Sequence, residues 1–131
     1  MHLFTTPRPT TAAPPEWVTG AAWVDELAAP EGLSRVRVDS VHFAPGARTA
    51  WHRHPFGQVL HVTEGTGRVQ SRGGAVRTLR PGDTVRVAPG EWHWHGAAPD
   101  TFMTHLAVQE VADDGTEAEL GAHVTDSAYL A

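Results

Sequence analysis

The sequence predicts an all-β chain, folded as an antiparallel barrel or jelly roll. Three observations carry that prediction. Short runs rich in Val, Thr, Trp and Phe succeed one another from residue 17 to residue 110; Gly and Pro turns separate them; and no long stretch repeats its apolar residues at helical spacing. With 131 residues and 40% hydrophobic content, the chain suits one domain with a single core.

Taken in order, residues 1–15 carry Pro7, Pro9, Pro14 and Pro15 and are expected to be a flexible tail, leaving 16–131 as the domain. Strands are expected at 17–25 and 35–43, and the Pro45-Gly46 turn then leads into a strand at 47–54. Further strands follow at 57–63, ended by Glu64-Gly65, at 67–71, ended by Gly73-Gly74, and at 75–79, ended by Pro81-Gly82-Asp83. The last three lie at 84–88, before Pro89-Gly90, at 93–98 and at 102–110. The only helix expected is a short C-terminal one after Thr125-Asp126, whose side chains suit a cap.

Composition removes several kinds of chemistry. The net charge is −5 and the ten cations are scattered, so no basic stripe exists to hold a nucleic-acid backbone. There is no cysteine, which excludes disulfides, thiol nucleophiles and Cys-ligated metal. All ten cations are arginine, so no lysine can form a Schiff base, and Ser34, Ser40, Ser71 and Ser127 sit in no nucleophile-elbow context. No apolar run is long enough to span a bilayer and no N-terminal stretch reads as a secretion signal, so the expectation is a cytoplasmic protein without membrane contact. Histidine and metal chemistry is what remains.

That chemistry is concentrated in His52-Arg53-His54, in Gln58 and in His93-Trp94-His95. Alternate residues of a strand share a face, so His52 points with His54 and His93 with His95. Two imidazoles from one strand, a third from another and an amide oxygen could enclose one divalent metal ion per subunit. Three imidazoles and an amide suit Mn, Fe, Co, Ni or Zn, with two octahedral positions left for substrate or water. Because Gln58 is neutral it leaves the full charge of a dication, which favours Lewis-acid work over redox cycling.

The spacing of these residues resembles the cupin motifs. Gly46, His52, His54, Gln58 and Gly65 fall at the first motif's intervals, with Gln58 in place of the usual Glu. Gly82, Gly90 and His93 follow the second, with Ala88 and Ala97 where proline and asparagine are usual. A closer resemblance, to the small bacterial cupins described as manganese-dependent hydroxynitrile lyases, rests on GARTAWHRHPFGQ (46–58), PGEWHWHGAAP (89–99), THLAVQE (104–110) and HVTD (123–126). It implies a cupin barrel, manganese as the metal, His52, His54, Gln58 and His93 as its ligands, and His95 and His105 as pocket histidines.

His105 shares a strand face with Met103, Ala107 and Gln109, which fits the pocket placement. On the lyase reading His105 is the general base for a cyanohydrin hydroxyl, and His95 places or protonates the departing anion. The alternatives are a metal-dependent oxygenase acting on a small enol or aromatic substrate, and a non-catalytic module that binds a small molecule. Asp39 and Val41 share one strand face, but Arg35 and Arg37 share it too, so alternation alone does not decide whether Asp39 and Val41 line the pocket. Gln109 is a further lining candidate. His61 is expected to face outward, and His2, His42 and His123 are assigned to tail, packing or interface. Trp51, Trp92 and Trp94 alternate away from the ligands and are expected to pack between sheets or across a subunit interface. A homodimer is expected, with the strand around Trp17–Trp23 at its interface.

Overall fold

The computed structural model describes residues 1–131. In chain order its elements are β1 (Thr10–Ala12), β2 (Val18–Thr19), β3 (Ala22–Ala28), β4 (Val36–Phe43), β5 (Arg48–Thr49), β6 (His52–Arg53), β7 (Gln58–Gly65), β8 (Gly67–Ser71), β9 (Arg77–Leu79), β10 (Thr84–Val87), β11 (His93–Ala97), β12 (Met103–Glu110), β13 (Glu119–Leu120) and α1 (Asp126–Leu130). One sheet runs β1-β3-β4-β12-β7-β10; the other runs β13-β6-β11-β5-β2, with β8 joining β11 to β9. Every pairing is antiparallel, as the sequence predicts.

Alternation builds the interior. On β7, Gln58, Leu60 and Val62 are buried while Val59, His61 and Thr63 face away, and His61 meets Thr84 on the outside, where it was expected. Phe43, Val62, Met103 and Ala97 meet in a core between the sheets, each removed from water. Trp94 points to the other side of β11 and is buried under Val124 and Tyr129 of the C-terminal segment. That segment is tied down by Arg48, whose guanidinium donates to the Val124 carbonyl and to Asp126, and by the Tyr129 hydroxyl, which donates to the Ala97 carbonyl at 2.6 Å. The expected helix is present, with the Thr125 side chain accepting from the Ala128 N–H.

Several boundaries differ from expectation. The stretch 17–25 divides at Gly20, whose φ of 81° turns a corner, so that β2 lies in one sheet and β3 in the other. The stretch 47–54 divides into β5 and β6, because Ala50 and Trp51 turn their N–H groups to Trp17 and Ala122 rather than to a ladder. Within the segment expected to be a tail, residues 10–12 form β1, which pairs with β3 and covers its edge.

Candidate metal centre and active site

His52 and His93 are direct partners across β6 and β11, with ring centroids 4.2 Å apart. His95 follows two residues along the same face of β11, and His54 stands just beyond β6, its ring 5.0 Å from that of His52. His52, His93 and His95, all buried, each bring a ring nitrogen within 4.8 Å of the others. Between His54 and Gln58 the chain reverses at Gly57, with φ 79°; a Cβ there would lie 2.5 Å from the Val87 carbonyl oxygen, so only glycine fits. The reversal brings Gln58 to the start of β7, with Oε1 3.1 Å from Nε2 of His93.

Hydrogen bonds fix which nitrogen each ring offers. A carbonyl only accepts, so Nδ1 of His52 donates to Ala50, that of His54 to Glu117 at 2.6 Å, and that of His93 to Glu91 at 2.9 Å. Each neutral ring therefore presents a bare Nε2 lone pair to the interior. His54 Nε2 is buried without a partner. The Gln58 amide is oriented from behind: its Nε2 donates to Gln109 at 2.8 Å, Gln109 donates to Glu117 at 3.0 Å, and Arg37 donates to the other Glu117 oxygen at 3.0 Å. The oxygen of Gln58 thus faces the bare nitrogen of His93 with no proton for either. Two acceptors so opposed are reconciled by a cation between them, and the residues present fit a divalent metal ion.

Electrostatics keep the donors unprotonated. Burial pushes His93 down to about 4. Burial, with the neighbouring histidines adding to it, holds His52 and His95 well below the ordinary imidazole range, and burial lowers His54 as well.

Beside this group His105 Nε2 lies 2.9 Å from His95 Nδ1, and the far nitrogens, His95 Nε2 and His105 Nδ1, are buried without partners. One proton is shared across the contact. With that proton on His105, His95 must carry its own on Nε2 and His105 Nδ1 is bare; with it on His95, the reverse holds. Burial pushes His105 down to about 4. The cluster opens on a cavity of about 220 Å³ whose walls are largely apolar, with Val24, Val41, Phe43 and Ala107 among them. His52, His54, Gln58, His95 and His105 all reach it.

The structure decides the open question on β4. Asp39 and Val41 face inward with Phe43 and line the cavity, as does Gln109 on β12. The inward charge of Arg37, which obscured the alternation, is matched by Glu26 and Glu117. Met103, His105 and Ala107 share the buried face of β12. Of the remaining histidines, His42 bridges Asp25 and Thr104 outside the sheet, His123 meets Thr19, and His2 lies against Phe4. Trp51 and Trp92 take Arg72 between them by cation–π contact. Sequence reasoning missed Glu117, which orients both His54 and Gln109, and Thr49, which accepts from the His95 N–H at 3.2 Å. Glu117 sits in the acidic run Asp113-Asp114-Gly115-Thr116-Glu117, which reads as solvated surface.

A curled pair of antiparallel sheets with inward histidines from the second sheet and an inward glutamine defines a β-barrel protein with a histidine-rich metal-type centre. Residues 39–108 match the Cupin domain family, and the chain belongs to it. Among its relatives, the (R)-mandelonitrile lyase of Granulicella tundricola is 53% identical over 116 residues, which is 88% of each chain. A crystal structure of a cupin-like protein from Thermotoga maritima superposes with a TM-score of 0.86 at 38% identity, covering 98% of this chain and 95% of that one. A cupin-2 domain from Rhodospirillum rubrum shares the fold at 18% identity with a TM-score of 0.74, covering 98% of this chain and 82% of that one.

Proposed function

We propose that the protein is a metal-dependent lyase that cleaves cyanohydrins to an aldehyde and cyanide and joins the two in reverse. The observation that carries this reading is the His95–His105 pair, two imidazoles linked by one hydrogen bond with an unpartnered nitrogen at each end, beside a set of metal donors. The 53% identical mandelonitrile lyase supports cyanohydrins as the substrate class.

His52, His54 and His93 through Nε2 and Gln58 through Oε1 would hold the ion, which when bound supplies Lewis acidity to the substrate oxygen. We favour manganese, because an amide oxygen among the donors suits a harder ion than an all-nitrogen set does. The neutral His105 Nδ1 takes the hydroxyl proton. His105 passes its Nε2 proton to His95 Nδ1, and His95 gives its Nε2 proton to the departing cyanide. The O–H electron pair becomes the second bond of the carbonyl, and the C–C pair leaves with cyanide, which departs as hydrogen cyanide. The apolar part of the wall, with Val24, Val41, Phe43 and Ala107, gives the body of the aldehyde a surface to pack on. The same proposal places the protein in the cytoplasm as a homodimer; the exposed Trp17 and Trp23 support the second point.

Elemental analysis of the purified protein, followed by parallel assays of mandelonitrile cleavage and oxygen uptake, tests the reading. Cyanide release that a chelator abolishes and manganese restores is the expected result. Oxygen uptake without cyanide release would make the protein an oxygenase, and inactivity in both assays would leave a binding module.

A further inference from the structure

We propose that Asp39 makes the cavity selective for small hydroxy compounds whose far end carries a hydrogen-bond donor, either a hydroxyl or an ammonium group. The inference rests on the functional reading above, in which the reacting hydroxyl lies at the histidine end.

Across β4 and β12, Val41 stands opposite His105 and Asp39 opposite Ala107. Asp39 therefore lies two residues farther along the wall, roughly 7 Å at strand spacing. That is about the length of a para-substituted benzene ring. Val24, Val41, Phe43 and Ala107 line the cavity with it, so the body of a ligand spanning the distance meets apolar surface.

The other charged and amide groups near this wall are already engaged. Arg37 gives one nitrogen to Glu117 and another to Glu26, and Arg8 is paired with Glu26. Gln109 is held between Gln58 and Glu117. No side chain or backbone donor bonds to the Asp39 carboxylate, and its nearest charged neighbours are Arg37, Glu117 and Glu26. Two arginines against three carboxylates leave one negative charge in excess, and Asp39 is the carboxylate without a partner. Asp39 lines the cavity, and burial pushes its pKa up to about 6, so it remains predominantly ionised at neutral pH.

A half-buried carboxylate with unmet acceptors discriminates between ligands. A donor reaching it forms a charge-assisted bond, whereas an apolar group leaves it desolvated and unpaired. The same asymmetry gives enzyme sites their selectivity for hydroxyl-bearing substrates.

The test measures binding of three unreactive probes to the manganese-loaded protein: benzyl alcohol, 4-hydroxybenzyl alcohol and 4-(aminomethyl)benzyl alcohol. The two donor-bearing probes should bind about tenfold or more tightly than benzyl alcohol. Asp39→Leu should bring all three to similar affinity. Asp39→Asn, isosteric and still an acceptor, should keep the preference for the hydroxyl and lose that for the ammonium. Equal affinities in the parent protein, failure of all three to bind, or a preference that survives Asp39→Leu would overturn the proposal. So would an Asp39→Asn variant that loses turnover on every cyanohydrin alike while keeping both preferences, since Asp39 would then handle a proton. Donor-selective binding without cyanide release from any cyanohydrin would sink the lyase reading and keep this one; cyanide release without donor selectivity would do the reverse.

Discussion

Gln58 shows how much of a site depends on residues that never touch the reacting atoms. Its amide could present either end to His93, and the chain Gln109–Glu117–Arg37 selects the oxygen. Replacing Gln109 with leucine should free the amide to rotate and weaken metal binding about 10- to 100-fold, read by chelator competition. An unchanged affinity would show that the relay does not orient Gln58. His105 makes a different prediction, because the only side chain it hydrogen-bonds is His95. His105→Ala should lower cyanohydrin turnover by about 10²- to 10⁴-fold at unchanged metal content. Loss of metal in that variant would place His95 among the ligands, in the cluster it already forms with His52 and His93. Legibility at this scale followed periodicity. The H-x-H pattern of residues 93–95 declared its inward face, whereas Glu117 acts through a loop 63 residues away from His54, where no repeat announces a contact. Asp39 was ambiguous for a related reason: Arg37 shares its face, and the carboxylates that neutralise it come from distant segments.

At the scale of elements, long strands with alternating Val, Leu and Phe were legible and two-residue strands were not. β2, β5, β6 and β13 are too short to show a period, and their pairing is decided by the corners between sheets. β1 was hidden by the prolines around it, although Thr10–Ala12 pairs in full register with Trp23–Asp25. This pairing changes the argument for a dimer. The edge of β3 is closed within the chain, and the sheet now ends on the three-residue β1, which offers a second copy little ladder to extend. What remains exposed is the outer face of β3, where Trp23 keeps 41% of its surface, and the turn before β2, where Trp17 keeps 38%. A contact made through side chains predicts that Trp23→Glu yields monomers in sedimentation equilibrium while the parent sediments as a dimer at micromolar concentration. A monomeric parent would remove the dimer from the proposal.

For the molecule as a whole, the neutral histidines link stability to pH. His52, His54, His93, His95 and His105 are all depressed by burial, His93 and His105 to about 4. The unfolded chain takes up these protons near 6.5 while the folded chain resists them, so stability is fully present above that pH and declines as pH falls toward about 4. Asp39, raised from 3.8 to about 6, works in the opposite direction over much of the same range, but as one group against five. The urea midpoint of metal-free protein should therefore be lower at pH 4.5 than at pH 7, and a flat profile would contradict the neutral cluster. The tie between His54 and Glu117, described above as geometry, also has a meaning in time. All of the proposed ligands are translated by residue 93, yet Gln109 and Glu117, which aim two of them, and Arg48's anchor Asp126 emerge later. A chain that has reached residue 93 but not residue 117 would hold the donors unaimed, so an ion it met then would find a looser site than the folded domain offers.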